Sequence, residues 1–107
     1  MKEHFECWHG HTHAKERYYV IGTTGGAMTY DEFISYFQQT KTPQERREIH
    51  LRVNGNVHLE IAGRVEVRNF KGQAILEIPK IYSPQTREAR LTLIEKKLGV
   101  QLQKHGH

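Results

Sequence analysis

Ile49-His50-Leu51-Arg52-Val53-Asn54-Gly55-Asn56-Val57-His58-Leu59-Glu60-Ile61 is the stretch on which the fold turns. Ile49, Leu51 and Val53 alternate with His50 and Arg52, and Val57, Leu59 and Ile61 alternate with His58 and Glu60. A period of two sends successive side chains to opposite faces of a strand, so the stretch predicts two strands flanking Asn54-Gly55-Asn56. A three-residue loop pairs Val53 with Val57, Leu51 with Leu59 and Ile49 with Ile61, which gathers the apolar residues on one face. A two-residue loop instead sets Leu51 opposite His58. The expectation is the three-residue hairpin.

Working toward the C-terminus, Ala62-Gly63 turns into a strand over 65–70, and Lys71-Gly72 turns into another over 73–78. The middle of the chain thus reads as an antiparallel meander of four strands, with Pro79 marking an end or an edge. Ser83-Pro84 is an N-cap followed by a residue suited to the first helical position. The helix it opens runs through Leu91, Ile94 and Leu98 to Gly99, placed as the residue just past the helix end. The tail 101–107 is expected to fray.

Toward the N-terminus, 4–8 and 17–21 read as short strands joined by a histidine-rich turn, a hairpin. Residues 22–27 are a glycine-rich connector. Thr29-Tyr30-Asp31-Glu32 has the pattern of a capping box, and Tyr30, Phe33, Ile34 and Phe37 then fall at i, i+3, i+4 and i+7, one apolar stripe of a helix. Thr42-Pro43-Gln44-Glu45 repeats the capping pattern and predicts a further short helical turn. The fold class that follows is α+β, an antiparallel β-meander with an N-terminal hairpin packed against two main helices, in one compact domain over 1–107.

Composition agrees with a folded domain. The 107 residues are 36% hydrophobic and 26% charged, with apolar segments recurring throughout. No apolar run approaches the ~20 residues that span a bilayer. The first residues lack the apolar core of a signal peptide, and a single cysteine, Cys7, forms no internal disulfide. A cytoplasmic protein with no membrane contact is expected.

The formal charge of +4 is unevenly spread, with six basic residues against Glu88 and Glu95 over 80–107. Arg87, Arg90 and Lys97 lie on adjoining turns of the expected last helix, with Lys96 and Lys104 nearby, a candidate nucleic-acid contact. Tyr18, Tyr19 and Trp8 are candidate stacking residues. The rival reading is an ordinary solvated helix face.

Cys7, His9, His11 and His13 put four nitrogen or sulfur ligands within seven residues, a candidate zinc site that matches no zinc-finger spacing. Gly10-His11-Thr12-His13 resembles the closing metal-ligand motif of calcineurin-like metallophosphoesterases, but over four residues only. The Asp-x-His and Asn-His motifs of that family have no counterpart, and Asp31 is the single aspartate. Other candidates are an anion cradle in Gly22-Thr23-Thr24-Gly25-Gly26, and acid–base pairs of His50 with Glu60 or His58 with Arg52 across the hairpin.

The reading that follows is a small non-catalytic binding or regulatory protein, without cofactor, that contacts nucleic acid through its basic C-terminal helix. The alternatives are a zinc-binding domain or metal-dependent hydrolase or nuclease built on the Cys/His cluster, and a protein-binding inhibitor or mobile-element regulator. An exposed meander edge would permit a homodimer. The zinc alternative predicts stoichiometric metal in untagged protein, lost in a His9→Ala/His11→Ala variant. Unchanged metal content and stability in that variant would remove it.

Overall fold

The computed structural model describes residues 15–61, 65–79 and 84–105. Among them are six strands and three helices in the order β1 (Lys15–Ile21), α1 (Tyr30–Thr40), α2 (Pro43–Ile49), β2 (His50–Val53), β3 (Asn56–Leu59), β4 (Val65–Phe70), β5 (Gln73–Pro79), α3 (Pro84–Leu98) and β6 (Gln101–Lys104). The strands form one antiparallel sheet in the order β2-β3-β4-β5-β1-β6. The fold is α+β.

Both capping boxes are present. Thr29 Oγ1 accepts from the Glu32 amide at 3.0 Å while the Glu32 carboxylate accepts from the Thr29 amide at 2.9 Å, and Thr42 and Glu45 repeat the exchange. These bonds satisfy amides that the first turn of a helix leaves without partners. Of the last helix's predicted cap, Ser83 lies outside the described residues. At its other end Gly99, at φ 74°, donates its amide to Glu95 O at 2.8 Å. A Cβ at this position would lie 2.8 Å from Tyr36 Oη, which donates to Gly99 O at 2.7 Å and so ties α1 to the end of α3.

Strands β3, β4, β5 and β1 turn Val57, Leu59, Val65, Val67, Ala74, Leu76, Ile78, Tyr18 and Val20 toward the helices. There they meet Tyr30, Phe33 and Phe37 of α1 and Ile94 and Leu98 of α3. Full burial of a side chain such as Phe33 or Leu98 stabilises the fold by about 1.5–3 kcal/mol. The opposite face of the sheet carries no helix among the described residues.

The central hairpin adopts the other register. His50 pairs with Leu59, Leu51 with His58, Arg52 with Val57 and Val53 with Asn56, leaving a two-residue loop of Asn54 and Gly55. Their φ values of 53° and 80° are the two positive angles of a type I′ turn, whose twist matches that of the flanking strands. Asn and Gly adopt the left-handed region more readily than other residues, so turn chemistry overrides the matching of apolar residues. The consequence is that Leu51 and Val53, on an edge strand, lie 50% and 39% exposed on the helix-free face. Lys71 and Gly72, at φ 52° and 88°, make an equivalent two-residue turn between β4 and β5.

One further expectation changes at the sheet's other end, where β1 is flanked by β5 and β6. Strand 4–8 of the N-terminal hairpin lies outside the described residues. Residues 101–104, expected to fray, form β6. Leu102 packs against the core opposite Val20 and donates its amide to Glu95 Oε2 at 2.9 Å, while the strand satisfies the edge of β1.

Because nothing crowds a Cβ at Gly55, its cost there is conformational alone. Gly55→Ala should destabilise the protein by about 1–2 kcal/mol in urea unfolding. A neutral result would mean that the turn does not hold residue 55 in the left-handed region.

Candidate functional site

The registers of β4, β5 and β1 place Glu66, Glu77 and Arg17 in one row across the helix-free face, and Arg68, Ile75 and Tyr19 in the next. Glu77 is 3% exposed. A carboxylate so placed needs charged or hydrogen-bonding partners to remain ionised. Arg17 Nε donates to Glu77 Oε2 at 2.9 Å, Arg68 Nη1 reaches the same oxygen at 3.3 Å, and Lys15 Nζ lies 3.7 Å from Oε1. Burial alone would raise the Glu77 pKa, but the Arg17 hydrogen bond and the charges of Arg68 and Lys15 outweigh it and hold the group below its ordinary value of 4.5.

Three cations therefore share one carboxylate, and each keeps between a third and a half of its side chain in solvent. Glu66, next in the row, is engaged by Asn56 Nδ2 at 3.0 Å and faces His58 Nε2 at 3.5 Å. Aromatic rings adjoin the cations. Tyr19 and His105 have centroids 4.8 Å apart, Phe70 lies 6.1 Å from His105, and Lys71 Nζ is 5.6 Å from the Phe70 centroid. The His105 amide donates to Arg17 O, which places that residue beyond β6, three strand spacings or roughly 14 Å from β4. Phe70 and His105 nonetheless come within 6.1 Å of each other, across the strands β5 and β1 that lie between β4 and β6. Phe70 is 39% exposed.

A second buried carboxylate sits on the helix side of β1. Glu16 Oε1 accepts from Tyr18 Oη at 2.6 Å and lies 3.2 Å from Arg87 Nε, and Oε2 lies 3.2 Å from Lys104 Nζ. The Tyr18 hydrogen bond, opposed by burial and aided by Lys104 and Arg87, holds Glu16 below the usual carboxylate range. Burial and the same hydrogen bond raise the Tyr18 phenol. The adjoining cavity of about 330 Å³ is bordered by Glu88 as well, so its two cations face two carboxylates.

The cluster thus recruits Arg87, which follows the same stripe as Leu91, Ile94 and Leu98 and is only 21% exposed. Arg90 is half-buried beside that stripe, whereas Lys96 and Lys97 are exposed on the last turn. Lys96 points half a turn away from Arg87. Arg90 and Lys97 stay on Arg87's side of α3, but of these three only Lys97 is exposed.

Cys7, His9, His11 and His13 lie outside the described residues, and among the described residues no three His, Cys, Asp or Glu side chains are grouped to hold a metal. The Gly22 amide donates to Gly26 O at 2.8 Å and the Gly25 amide to Gly22 O at 3.0 Å, so those two donors close the turn instead of facing an anion. Register separates both proposed acid–base pairs. His50 pairs with Leu59 and packs edge-on against Phe37 at 4.6 Å, where burial lowers its pKa, and His58 stands opposite Leu51 and Glu66.

The burial of Glu77 and its pairing with Lys15 and Arg17 of β1 are not foreseen from the sequence, although the burial leaves a signal there. Ala74-Ile75-Leu76-Glu77-Ile78 is a continuous apolar run broken by one acid, the pattern of a strand buried on both faces with a charge that must be neutralised by its neighbours. Comparison with family models, curated proteins and solved structures gives no match.

A carboxylate with a depressed folded-state pKa stabilises the protein above its unfolded value near 4.5, and that stabilisation is lost as pH falls through the folded value. Glu77→Gln should therefore lower stability at pH 7 by about 1–2 kcal/mol, a figure reduced for the exposure of the cations, and should flatten the loss of stability below pH 5. Urea midpoints across pH 3–7 that run parallel to the parent protein would refute this.

Proposed function

We propose that the protein is a non-catalytic nucleic-acid-binding module whose contact surface is the helix-free face of the sheet. The observation that carries this reading is the convergence of Lys15, Arg17 and Arg68 on the carboxylate of Glu77, which even with Glu66 next in the row leaves positive charge in excess near the exposed Phe70 ring. A guanidinium offers five N–H donors in a planar fork suited to phosphate oxygens, and these two remain nearly half in solvent. The basic end of α3 takes a lesser part. Arg87 serves Glu16 and Arg90 is half-buried, so Lys96 and Lys97 are the residues of that helix best placed for phosphate.

Each phosphate neutralised releases counterions, so the test is the dependence of affinity on salt. Contact with about four phosphates of a mixed-sequence oligonucleotide should give a log–log slope near −3. Replacing Arg17, Arg68 and Glu77 together by Gln removes two phosphate contacts without leaving a buried charge, and should reduce the slope by about 1.4. Lys96→Ala/Lys97→Ala should change it less. An unchanged slope in the triple variant, with its fold verified by circular dichroism, would exclude the sheet face.

A further inference from the structure

We infer that the ligand of this face is single-stranded nucleic acid, with a base stacked on Phe70 within the strip formed by Phe70, His105 and Tyr19. The inference rests on the reading of the face as a nucleic-acid contact and adds what that reading leaves open. Cations alone bind any polyanion. Rings interleaved with them select a polyanion that carries flat apolar groups, because base–aromatic stacking is available to every base once it is unpaired. In a duplex the bases are stacked on one another and present only their edges in the grooves, so rings on a sheet face cannot reach their planes.

The arrangement meets three requirements of a stacking platform. Phe70 is 39% exposed at the end of β4, and its tilt to His105, 80° between planes, leaves its ring uncovered by a parallel neighbour in that pair. Lys71 Nζ lies over one face of the same ring, 5.6 Å from its centroid, so a base would stack on the other face with that cation behind the ring. Arg68, two residues earlier on the same side of the strand, carries the nearest fixed guanidinium. One strand thus supplies a ring between two cations, one anchored by Glu77 and the other adjoining the ring.

The experiment compares the full chain's affinity for a 12-nucleotide oligothymidylate, a duplex of the same length and poly-L-glutamate, all at one salt concentration. Single strands should bind at least about tenfold more tightly than the duplex or the polypeptide. Phe70→Leu keeps the apolar contact but loses the ring, and should weaken single-strand binding about 5- to 50-fold with the salt slope unchanged, because no charge is removed. Phe70→Trp should restore it. Equal affinity for duplex or for polyglutamate, or Leu and Trp variants that both bind like the parent, would overturn the stacking platform while leaving the salt-dependent contact standing. Failure to bind any of the oligonucleotides would overturn both readings.

Discussion

Strand β5 is buried on both of its faces, and the arrangement of charge in the molecule follows from this. Ala74, Leu76 and Ile78 point to the helices, while Ile75 and Glu77 point the other way and are 1% and 3% exposed. An ionised carboxylate at such a position needs compensation from whatever stands beside it. With β4 on one side and β1 on the other, compensation comes from both neighbours, Arg68 from one and Lys15 and Arg17 from the other. The central place of one acidic residue thereby gathers three cations that are as far apart in sequence as Lys15 and Arg68.

The alternation of β1 connects this cluster with the second. Lys15, Arg17 and Tyr19 face one side and Glu16, Tyr18 and Val20 the other, so the same seven-residue strand serves both carboxylates. On the helix side, Glu16 joins β1 to α3 through Arg87 and to β6 through Lys104. The two clusters differ in charge balance. Around Glu16, two cations meet two acids if Glu88 is included, which suits a fastening between elements. Around Glu77, three cations meet two acids if Glu66 is included, which leaves a surface with positive charge in excess, suited to an anion. Positive charge that is concentrated along the chain in its last quarter is thus partly consumed inside the fold, through Arg87 and Lys104, while the cations on the sheet face come from earlier in the chain.

Local signals in the sequence were read correctly wherever a few neighbouring residues determine the structure. Thr29 with Glu32 and Thr42 with Glu45 close their own capping boxes, and Gly99 ends its helix through its own backbone angle. Signals that depend on tertiary context were less legible. The hairpin register was a contest between matched apolar faces and the backbone preference of Asn54-Gly55, and the preference prevailed at the edge of the sheet. Arg87 reads as part of a basic face by its charge, whereas its i+4, i+7 and i+11 neighbours Leu91, Ile94 and Leu98 put it in line with the buried stripe. Residues 101–104 read as a tail because a four-residue strand with one apolar side chain has no signature until β1 offers it an edge. The site itself combines residues of three strands and the end of a fourth, a grouping that only the sheet order reveals.

That Glu77 lies beneath the cations has a consequence for recognition. Lysine and arginine side chains each carry about 2 kcal/mol of rotamer entropy, and fixing them on a ligand ordinarily forfeits part of it. Here the Arg17 and Arg68 guanidiniums already share an oxygen of Glu77, so part of that ordering is complete in the free protein. The same carboxylate opposes an approaching anion, but it is buried while the cations are nearly half exposed, so a phosphate meets the guanidiniums first. A surface with three loose lysines would carry more net charge and less direction. The buried acid gives up one charge and gains a fixed geometry, and fixed cations beside fixed rings are what distinguish a nucleotide from a featureless polyanion.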